Sequence, residues 1–116
     1  ARTLGGVVAA TGPVDVVSDG RRVAHIANGD PWLARVTGTG CSLSALVGAF
    51  VAVTDKQQRR NQALDAVVAA LVTFEVAAEK ARAASLGPGT FHAALMDALF
   101  TMTPDEVDAR AQVTWR

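Results

Sequence analysis

The sequence predicts an α/β architecture in which short strands come first and helices follow. Two observations carry this reading. Runs rich in Val and Ile, namely Val7-Val8-Ala9-Ala10, Val14-Asp15-Val16-Val17 and Arg22-Val23-Ala24-His25-Ile26-Ala27, are separated by turn residues in the first third of the chain. From Cys41 onward the apolar residues recur instead at helical spacing. Strands then helices in 116 residues fit either a small α+β domain or the second half of a larger α/β one.

Gly12-Pro13 and Asp19-Gly20 supply the turns between the strands. An Asp-Gly step between two strand-like runs is a hairpin signal, so Val14–Ser18 and Arg22–Ala27 are expected to pair antiparallel. Asn28-Gly29-Asp30-Pro31 closes this section with another turn. Leu43, Leu46, Val47 and Phe50 fall on one face of a helix starting near residue 41. Asp55–Gln62 reads as a solvated connection, and Leu64, Val67, Val68 and Leu71 repeat the helical spacing in an Ala-rich helix running to about Ala84. Asp65, Glu79, Lys80 and Arg82 form its expected polar face. Gly87-Pro88-Gly89 ends that helix, Thr90 is the expected N-cap of the next, and Phe91, Leu95 and Leu99 line it. Thr103-Pro104-Asp105-Glu106 has the form of a capping box with proline in the first helical position. A short helix and a strand at Gln112–Trp115 complete the reading. The expected core is Val8, Val16, Ile26, Leu43, Leu46, Val47, Phe50, Leu64, Val67, Val68, Leu71, Phe91, Leu95 and Leu99.

Composition excludes several function classes. Eleven basic residues balance 11 acidic ones, and no basic run exceeds two residues, so the footprint for gripping a nucleic-acid backbone or an anionic membrane surface is missing. The uncharged stretch between Arg35 and Asp55 is long enough to raise a transmembrane helix, but its glycines at 38, 40 and 48 and its hydroxyls at 37, 39, 42 and 44 argue against one. One Cys cannot form an internal disulfide, and half of the residues are apolar, so a reduced, globular, cytoplasmic protein is expected. The start, Ala1-Arg2-Thr3-Leu4-Gly5-Gly6, has no form of a signal peptide and reads as the middle of a longer chain.

Chemistry concentrates in Val36-Thr37-Gly38-Thr39-Gly40-Cys41-Ser42, where the extended pattern gives way to the helical one. Two glycines let the backbone turn sharply and approach a ligand. The unpaired N–H groups and dipole of the helix start then favour an anion such as phosphate. The spacing matches neither a P-loop nor a dinucleotide fingerprint, and glycines at such a turn often serve the turn alone. Free Cys is commonly a small buried apolar residue. A helix N-terminus favours the thiolate and a bound polyphosphate opposes it, which makes Cys41 a modest base at most.

Thr11-Gly12-Pro13-Val14-Asp15, Ser18-Asp19-Gly20, Asn28-Gly29, Val36-Thr37-Gly38-Thr39-Gly40-Cys41 and Gly87-Pro88-Gly89-Thr90-Phe91 occur in this order. From about residue 7 to 103 the chain resembles the C-terminal half of the hydroxyethylthiazole kinases, a branch of the ribokinase-like kinases. The resemblance implies a three-layer ribokinase-like fold with residues 1–116 as the C-terminal segment of a single kinase domain. It implies ATP- and Mg2+-dependent phosphorylation of the primary hydroxyl of 4-methyl-5-(2-hydroxyethyl)thiazole, a step of thiamine salvage. Carried over residue by residue, Thr11 matches a nucleotide-binding position and Gly38 a substrate-binding one. Thr39, Gly40 and Cys41 match the catalytic turn, with Gly40 and Cys41 completing an anion hole. Cys41 stands where ribokinase relatives usually carry an Asp base.

Two departures stand out: Glu75 replaces an expected small, glycine-like residue, and Asp55–Gln62 lacks the usual Asp-Pro-Leu connection. Members of the family are about twice this length and assemble as homotrimers with shared active sites. The absent half would carry further thiazole contacts, a nucleotide arginine and the acidic residues that hold magnesium. A ribokinase-like kinase for hydroxymethylpyrimidine or a sugar, and a non-catalytic fragment, are the competing readings.

The remaining polar residues read as structural. His25 and His92 lie far apart with no metal-ligand spacing. Asp19 suits a turn and Asp15 a structural hydrogen bond, although paired carboxylates also suit acid–base work. Trp32 is expected to pack rather than stack on a heterocycle. Arg21-Arg22 and Arg59-Arg60 are expected in solvent, the latter pair with a possible nucleotide phosphate as partner.

Overall fold

The computed structural model describes the backbone of residues 1–116 and every side chain except that of Arg60. The expected role of Arg60 therefore lies outside the described residues. Strands β1 (Val8–Ala10), β2 (Asp15–Ser18) and β3 (Val23–Ile26) precede a 3-10 helix, Pro31–Arg35. Helices α1 (Thr39–Ala52), α2 (Arg59–Ala83), α3 (Pro88–Thr101) and α4 (Pro104–Arg110) follow, and β4 (Val113–Trp115) is last. The sheet runs β1-β2-β3-β4, antiparallel throughout. It carries one helical layer of the expected three-layer arrangement.

The β2–β3 hairpin forms at the Asp-Gly step, with Ser18 opposite Val23 and Asp15 opposite Ile26. Gly20 takes φ +92° there, and the Asp19 carboxylate accepts the amides of Arg21 and Arg22, both at 2.8 Å. Asp19 is thus a turn residue, and those two amides hold its carboxyl below the usual range. Arg22 does not simply point to solvent. It pairs with Asp65 at 3.0 Å and lies 5.5 Å from the Trp115 ring.

Helix α2 is the central element because its apolar positions serve two partners. Leu64, Val68 and Leu71 pack with Val17, Ala24 and Ile26 of the sheet. Phe74, Ala77 and Ala81 pack with Phe91, Leu95 and Ala98 of α3, where small alanines let the two helices approach closely. Each fully buried Leu or Phe in these clusters contributes about 1.5–3 kcal/mol by leaving water. The segment Asn61–Ala83 is long and apolar enough to cross a membrane, but 67% of its most apolar window is buried inside the fold, as a core helix requires.

Several expectations need correction. Asp15 and Val17, not Val16, face the helices, because β2 sits one residue out of the phase that its apolar pattern suggests. Val8 is 36% exposed, and Leu43, Leu46, Val47, Phe50 and Leu99 are only half-buried. Helix α1 starts at Thr39 rather than near 41, and α2 starts at Arg59, inside the stretch read as a connection. The Asn28–Pro31 turn leads directly into a 3-10 helix, Pro31–Arg35, which the sequence reading did not include; Asp30 caps it, its carboxylate accepting the Trp32 amide at 2.8 Å. Gly87 caps α3, and the Thr90 hydroxyl instead accepts the amides of Leu86 and Gly87. The Thr103–Glu106 capping box forms as expected, with Lys80 2.9 Å from Glu106.

Candidate active site

The glycine turn sits at the head of α1. Gly38 is the N-cap, with φ +94°, a left-handed conformation that glycine alone adopts without strain. Ser42 N–H donates to the Gly38 carbonyl at 2.9 Å and starts the helical ladder. The amides of Thr39, Gly40 and Cys41 precede that bond and find no acceptor among the described residues. A Cβ built at Gly38 or Gly40 meets nothing within 4 Å, so this helix end is open. Free donors, helix dipole and open space together make an anion-binding surface.

The neighbouring 3-10 helix holds this turn. The Thr39 hydroxyl is shared between the carbonyl oxygens of Leu33 at 2.9 Å and Val36 at 3.2 Å. That side chain therefore anchors the turn, while its amide remains free. Cys41 is exposed with a free thiol. Trp32 packs edge-on against Phe91, with ring centroids 5.8 Å apart, and beneath the Arg82 guanidinium at 3.8 Å. It serves packing.

A cleft of about 610 Å³ opens beside the turn. It is lined by Thr11 and Gly12 from the β1–β2 loop, Asn28 and Gly29 after β3, and Thr39 and Gly40 from α1. Thr11, Thr39 and Gly40 are thereby brought together, whereas Gly38 and Cys41 lie outside this lining. The loops are tied to the core by buried polar side chains. Gly12 N–H donates to Asp15 Oδ1 at 2.8 Å. Glu79 Oε1 accepts Asn28 Nδ2 at 3.0 Å and the Gly29 amide at 2.9 Å, so Glu79 is a loop anchor rather than part of a solvated face. Asn28 also donates to the Arg110 carbonyl and accepts the Gln112 amide, linking the cleft to the β4 end of the sheet.

The sequence reading missed Glu75 as part of this site. The residue lines the cleft, is 6% exposed, and its carboxyl is pushed up to about 9. Burial is the main cause, followed by the hydrogen bond to and charge of Asp15 and then the charge of Glu79. Its mismatch with the expected small residue was the available signal. Asp15 and Glu75 do not suit magnesium, which keeps several waters that so buried a pair has no room for. Among the described residues no three His, Cys, Asp or Glu side chains converge as a metal site.

Residues 1–105 match the model of the hydroxyethylthiazole kinase family. The chain is 48% identical over 115 residues to the hydroxyethylthiazole kinase of Gemmatimonas aurantiaca, covering 99% of this chain and 39% of that protein. It is 54% identical over 102 residues to that of Pyrococcus furiosus, covering 88% and 36%. The solved structure of hydroxyethylthiazole kinase from Pyrococcus horikoshii OT3 superposes with a TM-score of 0.89 at 46% identity, over 99% of this chain and 42% of that one. The chain thus spans about two fifths of the length of these relatives, less than the half expected from its motifs. With its glycine turn at the head of α1 and residues 1–105 matched, the chain belongs to the hydroxyethylthiazole kinase family.

Proposed function

We propose that the protein carrying this chain phosphorylates the primary hydroxyl of 4-methyl-5-(2-hydroxyethyl)thiazole, and that residues 38–41 form its phosphoryl-binding wall. The observation that carries this reading is the set of amides at Thr39, Gly40 and Cys41 without an acceptor among the described residues, beside the cleft that Thr11, Thr39 and Gly40 line. Bound ATP supplies the phosphoryl group. The free amides neutralise charge on the transferring group, and positioning of this kind does most of the work in phosphoryl transfer. Thr11 holds the nucleotide from the opposing loop, and Gly38 leaves space for the alcohol. Cys41 accepts the hydroxyl proton as a weak base, so its contribution is smaller than that of the backbone.

The kinase reading implies magnesium, and the buried Asp15–Glu75 pair does not suit it. The same reading makes the complete protein a cytoplasmic homotrimer that uses neither nucleic acid nor a membrane. The test is direct: the purified full-length protein, given ATP and the thiazole alcohol, is expected to form the phosphate ester and ADP in equal amounts. Turnover of hydroxymethylpyrimidine or a sugar with none of the thiazole would overturn the substrate assignment.

A further inference from the structure

Two buried carboxyl groups meet where β2 faces α2. Asp15 is 1% exposed and Glu75 6%, and the two lie within hydrogen-bonding reach. Asp15 Oδ1 is occupied by the Gly12 amide, while Asp15 Oδ2 and Glu75 Oε2 are buried without a hydrogen-bond partner among the described residues. The Asn28-Gly29 turn closes over the pair. Gly29 has φ +108°, and a Cβ there would lie 3.5 Å from the Glu75 carboxyl carbon.

Two anions at this spacing would repel strongly where water screens little. A single proton between them removes one charge and supplies the donor that both vacant oxygens lack. Asp15 is the natural anion, since the Gly12 amide already stabilises its charge. The charged groups around the pair do not change this assignment. Glu79, one turn further along α2, adds negative charge, and Asp30 is drawn toward Arg82 at 3.9 Å. Strand β3 faces α2 with the uncharged Ala24 and Ile26, and α1 brings Leu43 to the cleft.

We propose that Glu75 is a positioning residue for the nucleotide: as a neutral acid it donates to Asp15 Oδ2, fixing the carboxylate that holds Gly12 and therefore Thr11. This rests on the reading of Thr11 as a nucleotide contact. Ionisation of Glu75 turns the donor into a repelling charge and releases the loop.

The experiment uses the full-length protein with carboxyl-labelled glutamate, followed by carbon NMR from neutral pH to about pH 10. KM for ATP and calorimetric ATP affinity are measured over the same interval. Glu75 is expected to titrate near 9, with KM rising several-fold across that titration and kcat little changed. The substitution E75Q is expected to abolish the inflection, and E75A to raise KM roughly tenfold at neutral pH through loss of a charge-assisted hydrogen bond. Titration of Glu75 in the ordinary carboxylate range overturns the proposal. So does a wild-type pH profile in E75Q, an unchanged KM in E75A, or a Glu75 signal that moves on adding magnesium alone. If no thiazole is phosphorylated yet Glu75 titrates near 9 and ATP affinity follows it, the substrate assignment fails and the positioning role stands.

Discussion

The Glu79 carboxylate lies 2.9 Å from the amide nitrogen of Gly29, 50 residues away in sequence. The same oxygen holds Asn28 Nδ2, so one side chain of the central helix pins the loop that walls the cleft. Glu79→Ala leaves the Gly29 amide without a partner. It is expected to lower stability by about 2 kcal/mol, seen as a lower urea midpoint with an unchanged slope. A loss below ~0.5 kcal/mol would mean that water replaces the carboxylate at no cost.

Gly38 and Gly40 are expected to respond differently to alanine. Neither position is crowded, so sterics with neighbours are not at issue. Gly38 has φ +94°, where a Cβ costs ~1–2 kcal/mol, whereas Gly40 is already in a helical turn. Urea denaturation should show Gly38→Ala destabilised by about that amount and Gly40→Ala unchanged or slightly stabilised. Equal losses would contradict the left-handed cap.

Stability should respond to alkaline pH through Glu75. Its carboxyl is raised from 4.5 to about 9 in the fold, so the neutral acid is favoured by folding. The stabilisation is complete below 4.5 and is lost as pH rises toward 9, by at most ~1.4 kcal/mol per pH unit. Thermal unfolding of wild type and Glu75→Gln across this interval measures it, and the substitution should flatten the slope. Asp19 acts in the opposite direction. Its carboxyl is lowered from 3.8, so its contribution is present above that value and is lost as the solution is acidified below it.

What could be read from the residues, and what could not, divides along physical lines. The Asp19-Gly20 hairpin, the Thr103–Glu106 box and the glycine turn were legible because each is a local pattern satisfied by its own neighbours. The facing of β2 was not. An Asp inside a Val-rich run suggests that the Asp side faces solvent, yet Asp15 turns inward because the Gly12 amide and the Glu75 carboxyl await it there. Glu79 looked solvated for a similar reason: its partners, Asn28 and Gly29, come from a distant loop that no helical pattern reveals. Of the candidate site residues, Thr11, Thr39 and Gly40 converge on the cleft as a tertiary fact, since nothing local connects position 11 with position 40.

The proposed catalysis requires that the open amides at the start of α1 receive the transferring phosphoryl group. The most direct measurement is kcat/KM of Gly40→Val and Cys41→Ser in the full-length protein, alongside their unfolding midpoints. A Cβ at position 40 meets nothing within 4 Å beyond its own helix and chain neighbours, so a Val there projects into the open space beside the amides. The expected result is a loss of ~100-fold or more for Gly40→Val, with near-native stability, and less than ~10-fold for Cys41→Ser. Equal losses, or a greater loss at Cys41, would contradict the account.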